Sequence, residues 1–239
     1  MKTTLIRLLK ILALLLFCML IYVLRPWEAV PAAWNPWEPL SVEHQLTPIT
    51  RWKLSQLKSA PEACLATLSS APDDTLKYTA LEDYTPVAGC PLANVVRIER
   101  SDVAFSAPFT ASCPWAVAWV MFERNELQRL SLIHMNSRVD RIDHYGSFAC
   151  RNVYNREEGR HSQHATASAF DIAAFRLDNG ERVSVVEHWT QPDAPDKAAF
   201  LRAFQDSACA YFGTVLGPDY NQAHANHFHL DTSHVGFCR

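Results

Sequence analysis

Apolar and polar residues sort along this chain into one continuous apolar run, one proline-rich tract and a long patterned remainder. Ile11 to Leu24 carries no charge and comes after Lys2, Arg7 and Lys10. It is short for a bilayer span unless Leu5 to Lys10 joins it, with the basic side chains snorkelling toward the interface. Positive charge lies mainly before the run, which puts the N-terminus in the cytoplasm and everything after Arg25 outside. Residues 1–25 therefore read as a membrane anchor, with Cys18 as a packing residue inside it. A cleaved signal peptide is the rival reading, since Ala29, Ala32 and Ala33 supply small residues, while Pro31, Trp27 and Trp34 speak against it. Both readings export the rest of the chain.

Residues 26–48 interleave Pro26, Pro31, Pro36, Pro39 and Pro48 with Trp27, Trp34 and Trp37. Proline at that density opposes regular structure and predicts an extended spacer. Its tryptophans either sit at the membrane interface or pack on the domain. From residue 49 to 239 the pattern becomes that of one folded domain. Pro61 to Ser69 reads as a short helix and Asn94 to Glu99 as a strand. Cys113 to Met135 has the length and apolar spacing of a long core helix, with a break near Leu127. Phe170 to Leu177, Asp178-Asn179-Gly180 and Arg182 to Glu187 form the strongest hairpin signal, because Asn-Gly accepts the positive φ of a tight turn. In Asp196 to Phe212, Ala199, Phe200, Ala203, Phe204, Ala208 and Tyr211 recur at helical spacing, and Gly213 closes the helix. His227 to Asp231 is the last strand. These pieces predict an α+β domain, an antiparallel sheet with flanking helices.

Composition adds three constraints. A chain of 239 residues with 49% hydrophobic content can bury a full core. A formal net charge of -3 leaves no basic stripe to neutralise phosphates, so nucleic-acid binding has no support. Six cysteines lie beyond the anchor, Cys64, Cys90, Cys113, Cys150, Cys209 and Cys238, and export to an oxidising compartment suits three disulfides. No C-x-x-C pair points to a second metal site. Six cysteines allow fifteen pairings; the expectation is that sequence neighbours pair, Cys64 with Cys90, Cys113 with Cys150 and Cys209 with Cys238.

The chemistry concentrates in two histidine clusters. His161-Ser162-Gln163-His164 is followed by Asp171, and His224-Ala225-Asn226-His227-Phe228-His229 lies near the C-terminus. In a strand, residues two apart share a face, so His227 and His229 project together while Phe228 points into the core. Asp171 sits in an otherwise small, apolar, β-compatible segment, and a buried acid needs a partner. Any one of these histidines alone fits an ordinary hydrogen-bonded role. Together they read as a split zinc site, in which three protein ligands leave the fourth position for water.

Ser162-Gln163-His164-Ala165-Thr166-Ala167-Ser168-Ala169-Phe170-Asp171 resembles the S-x-H-x-x-G-x-A-x-D motif of zinc peptidases that include lysostaphin-type enzymes, D-Ala-D-Ala metallopeptidases and hedgehog-like domains, with Ala167 at the usual glycine. His227-Phe228-His229 resembles their H-x-H motif, and the histidine pattern as a whole looks most like penicillin-insensitive murein endopeptidases. From about Cys64 to Cys238 the chain resembles the bacterial extensin-like C-terminal family, through Tyr145-Gly146-Ser147-Phe148-Ala149-Cys150-Arg151, Phe212 to Pro218 and His227 to Asp231. The resemblance implies a hedgehog- or DD-peptidase-like zinc site on the sheet, with His164, Asp171 and His229 as ligands and His227 as general base. Arg151 is implied to steady a carbonyl oxygen or grip a substrate carboxylate, or to form a structural salt bridge. His161 and His224 are candidates for substrate contact or support of the ligands. His44, His134, His144, His188 and His234 read as surface or packing residues. The activity implied is cleavage of peptidoglycan stem peptides by a protein of the inner membrane with a periplasmic domain. A zinc-stabilised wall- or protein-binding module that cleaves nothing is the alternative.

Overall fold

The computed structural model describes residues 2–72, 74–233 and 236–239, which leaves His234 outside the described residues. Helix α1, Lys2–Leu24, has its described side chains exposed nearly throughout. From Ile6 to Leu24 it is long and apolar enough to cross a membrane and fits an anchor or a signal sequence.

The proline-rich tract departs from the expected spacer. Short 3-10 turns cover Pro26–Ala29 and Ala32–Trp34, and from Asn35 onward the tract packs on the domain. Leu40 and Val42 enter the core, and the Val42 amide donates to Ser70 Oγ at 3.1 Å. The Lys53 ammonium donates to the carbonyl oxygens of Asn35 and Glu38. The carbonyls that precede Pro36 and Pro39 are thus satisfied by one side chain, Lys53, of the next helix, α2, Pro48–Gln56. Trp34 and Trp37 remain exposed.

The remaining helices are α3, Pro61–Leu68; α4, Cys113–Phe122; α5, Gln128–Met135; the single turn α6, Val185–His188; and α7, Pro195–Ala208. The strands are β1, Lys77–Ala80; β2, Tyr84–Val87; β3, Cys90–Leu92; β4, Val95–Arg100; β5, Ala104–Ser112; β6, Val139–Gly146; β7, Ala169–Leu177; β8, Arg182–Ser184; β9, Thr214–Leu216; β10, Phe228–Asp231; and β11, Phe237–Cys238. β2 and β3 pair apart from the rest. The others form a nine-stranded sheet in the order β1-β4-β5-β6-β7-β10-β9-β11, with β8 also on β7. Pairing is antiparallel except between β5 and β6 and between β9 and β11. The chain is therefore α+β with a mostly antiparallel sheet, as its pattern predicts.

Every residue of α4 is buried, so that helix has no polar stripe to show. Trp115 and Trp119 stack along it, and Trp115 packs on Phe109 and Phe170 of the sheet. Phe204 of α7 lies between Phe175 of β7 and Phe228 of β10. The break expected near Leu127 is a π-helical turn, Glu123–Leu127, between α4 and α5. Asn125 Nδ2 there donates to the Met121 carbonyl at 2.8 Å, satisfying an acceptor at the widened turn. The predicted hairpin is present around Gly180, at φ 87°, but its second strand stops at Ser184, where α6 begins.

β7 carries one extra residue opposite β6: Asp143 pairs with Ala174 and His144 with Ile172, leaving Ala173 as a bulge. Side-chain parity changes there. Phe170 and Ile172 before the bulge, and Phe175 and Leu177 after it, are all in the core cluster, while Asp171 is turned to the opposite face.

The bridges are Cys64–Cys113, Cys90–Cys150 and Cys209–Cys238, so only the last matches the neighbour pairing. Cys113 opens α4, which packs on α3 and so on Cys64. Cys90 of β3 instead holds Cys150, at the entrance to the first histidine cluster. Peptide mapping without reduction is expected to recover these three linked pairs and free Cys18; a Cys64–Cys90 peptide would overturn the packing of α3 on α4.

Glu123, buried, accepts hydrogen bonds from the Ser101 hydroxyl and the Val103 amide, both at 2.8 Å. Burial pushes its carboxyl from 4.5 up to about 8, against the pull of those bonds. Because the folded-state value is raised, the contribution to stability is complete at low pH and is lost as pH rises from 4.5 through about 8. Glu123→Gln keeps the acceptor oxygen without the charge. Its melting temperature, relative to wild type, should climb across that range; a constant difference between the two proteins refutes the buried-acid account.

Candidate metal centre

Three elements converge on the polar face of the sheet. A 3-10 turn, Gln163–Thr166, carries His164, and its N-cap Ser162 Oγ accepts from the His164 amide at 3.3 Å. Ala167 closes that turn at φ 51°, the left-handed region that glycine adopts freely, and leads the chain into β7. A non-glycine residue there costs roughly 1 kcal/mol; Ala167 is held by its amide bond to the His164 carbonyl and by the Ser112 amide on its own carbonyl. Asp171 then projects from β7. On β10, His229 pairs directly opposite it, in a register that leaves Phe228 in the core as the alternation predicts.

His164 Nε2, His229 Nδ1 and Asp171 Oδ1 form a triangle with sides of 3.1, 3.0 and 3.2 Å. Ligands about 2.0–2.1 Å from a tetrahedral zinc stand about 3.3 Å apart. The outer bonds fix the tautomers that a metal needs. His164 Nδ1 donates to the Ser147 carbonyl at 3.0 Å, turning its Nε2 lone pair inward. His229 Nε2 donates to Asp231 Oδ2 at 3.2 Å, which frees Nδ1 to face the centre. Asp231 shares the face of His229 because it lies two residues along the strand. Period-two alternation thus contained this partner, while nothing in the sequence marked the Ser147 carbonyl.

Electrostatics favour a positive charge at the same point. Burial would raise the Asp171 carboxyl, but hydrogen bonds and charge from His164 and His229 hold it well below the usual carboxylate range. Burial would lower His229, but Asp171 and Asp231 raise it to about 9. A proton or a divalent cation satisfies such a cluster, and the donor set, two imidazoles and a carboxylate, is one that zinc accepts.

His227 stands beside the triangle, its Nε2 3.7 Å from Asp171 Oδ1. Its Nδ1 lies 2.8 Å from the Asn226 side-chain oxygen, so the proton sits there and Nε2 is an open acceptor. Burial lowers its affinity for a proton, offset in part by Asp171. His224 packs against both His227 and His229 and is pushed down to about 4, by burial first and then by its charged neighbours.

A cavity of about 490 Å³ opens over the cluster, lined by the triangle, His224, His227, Asp231 and Arg151 among others. His161 is exposed and does not line it, whereas Arg160, which the sequence pattern did not single out, does. His44, His144 and His188 hydrogen-bond to nearby backbone elsewhere in the fold.

Comparison with curated proteins and with solved structures returns no match. A family model described as Extensin-like protein C-terminus matches residues 62–239. The match takes in all six bridged cysteines, the donor triangle and the cavity that opens over it. The chain belongs to the extensin-like protein C-terminal family.

Proposed function

We propose that this protein is an exported zinc peptidase, cutting peptidoglycan stem peptides from a domain anchored at the outer face of the inner membrane. The observation that carries the reading is the triangle of inward lone pairs beside a third imidazole, His227, with an open Nε2. His164, Asp171 and His229 would hold the zinc. Zinc bound there supplies Lewis acidity and brings the pKa of water to about 7, within reach of an imidazole base. His227 Nε2 takes the proton, and its Nδ1–H bond to Asn226 keeps the ring in the tautomer that can do so. Asp231 and the Ser147 carbonyl hold the two imidazoles in place. Arg151, on the cavity wall, offers a permanent forked cation to the carbonyl oxygen that gains charge during attack. The disulfides and the N-terminal apolar helix suit an extracytoplasmic setting.

Metal analysis of the full chain is expected to find about one zinc per molecule, falling severalfold in His229→Ala and His164→Ala, since a three-ligand site deprived of one ligand holds zinc poorly. Unchanged zinc in both variants removes these ligands from the assignment.

Digestion of purified peptidoglycan, read by product mass, tests the activity. His227→Ala should keep its zinc and its melting temperature yet cleave roughly 10²- to 10⁴-fold more slowly, the span usual for loss of a general base. A rate within about threefold of wild type at equal zinc excludes His227 as that base. Zinc-loaded wild type that cuts no stem peptide would leave a binding module as the function.

A further inference from the structure

Residues 151–162 form a short antiparallel ribbon at the mouth of the cavity. The Ser162 amide donates to the Arg151 carbonyl and the Val153 amide to the Arg160 carbonyl, both at 3.0 Å, and Asn152 and His161 bridge between them. Opposed residues in such a pair share a face, and faces alternate along each strand. Arg151, Val153, Arg160 and Ser162 therefore lie on one side and Asn152 and His161 on the other. The cavity wall has that composition: the first four line it and the last two do not.

The ribbon is held at its tip. Tyr154 and Asn155 adopt left-handed backbone at φ 56° and 58°, braced by Asn152 Nδ2 on the carbonyls of Arg156 and Glu157. The Tyr154 hydroxyl meets that of Tyr220 at 3.0 Å and accepts from Asn221 Nδ2 at 3.2 Å. Asn221 Oδ1 in turn lies 2.8 Å from His224 Nδ1. The ribbon is thus tied across the cavity to the loop that carries the second histidine cluster.

Neither arginine on the inward face has an acidic partner among the described residues. The arginine ion pairs among the described residues involve Arg25, Arg124, Arg129, Arg176, Arg182 and Arg202, not Arg151 or Arg160. The acids that line the cavity, Asp171 and Asp231, are engaged by His164 and His229. With Arg151 assigned to the carbonyl oxygen under attack, Arg160 is the forked cation left to a ligand of opposite charge, and a planar carboxylate matches the fork.

Resting on the peptidase reading, which gives Arg151 to the carbonyl oxygen, we propose that Arg160 forms a subsite for a carboxylate of the bound peptide and so selects which stem peptides are held. Arg160 acts in recognition, one register step along the ribbon from Arg151. That separates it from His227 and the donor triangle. The carboxylate comes either from the peptide's C-terminus or from an internal acidic residue, and the test has an arm for each.

The test is calorimetric binding to the full, zinc-loaded chain in detergent, in a His227→Ala background that stops turnover. The first pair of probes is diacetyl-Lys-D-Ala-D-Ala as acid and as C-terminal amide. The second is a C-terminally amidated stem pentapeptide with D-isoglutamate or D-isoglutamine at its second position. In at least one pair the acid should bind about tenfold more tightly or better, the scale of a charge-assisted forked contact. Arg160→Gln should reduce that preference to within about twofold, and Arg160→Lys, which keeps charge without the fork, should fall between. A parent that binds acid and amide alike, or binds neither, overturns the subsite, as does an undiminished preference in Arg160→Gln. Failure of the peptidase reading shows separately, as an acid preference that persists in a wild type unable to digest peptidoglycan.

Discussion

Asp171 is an ionised side chain in a core-like strand, and burying a charge without partners costs several kcal/mol. Two imidazoles from distant parts of the chain meet that cost, and the arrangement of this half of the sheet follows from the need to bring them there. His229 must lie opposite Asp171, which sets the register of β10 on β7. A slip of one residue would turn His229 into the packed face and Phe228 out of it. The aromatic packing of Phe228 on Phe204 and the polar bond of His229 to Asp171 thus specify the same register from opposite sides of one strand.

The Ala173 bulge extends that economy along β7. Without it, strict alternation would place Phe175 on the same face as Asp171 and open the core between β7 and α7. With it, one strand presents Phe170 and Ile172, then Phe175 and Leu177, to the helices while reserving a single polar position for the site. Ala173 itself is unremarkable in sequence, because a bulge is a property of the pairing and not of the residue.

What was legible in the sequence was whatever a short window contains. The i, i+2 relation of His227 and His229, the Asn179-Gly180 turn, the apolar spacing of α7 and the mismatch of Asp171 with its neighbours are local, and each has its counterpart in the fold. Relations between windows were hidden. Cys113 meets Cys64 because two helices pack, and no spacing rule favours that over Cys90. The tract after Asn35 reads as spacer by its prolines, yet Lys53, eighteen residues on, supplies the donor that fixes it. In the sequence His161 is a candidate for substrate contact, and Arg160 is not singled out. Which of them faces the cavity depends on the parity of a ribbon visible only once its two strands are paired.

Cys64–Cys113 and Cys90–Cys150 interleave: each bridge closes a loop that contains one end of the other. If the segment after the apolar helix crosses a membrane in chain order, Cys64 and Cys90 would meet an oxidising compartment before Cys113 emerges. The first bond open to them would be a non-native one, and any such bond must be exchanged through thiolate attack to reach the crossed pair. Such reshuffling takes seconds to hours depending on oxidant and isomerase, far longer than sheet or helix formation. Cys150 follows Ala149, whose amide donates to the His164 carbonyl, so the bridge whose second cysteine lies later in the chain is also the one beside the site. Crossed bridges of this kind would couple the yield of competent protein to the disulfide-isomerising capacity of the compartment in which they form.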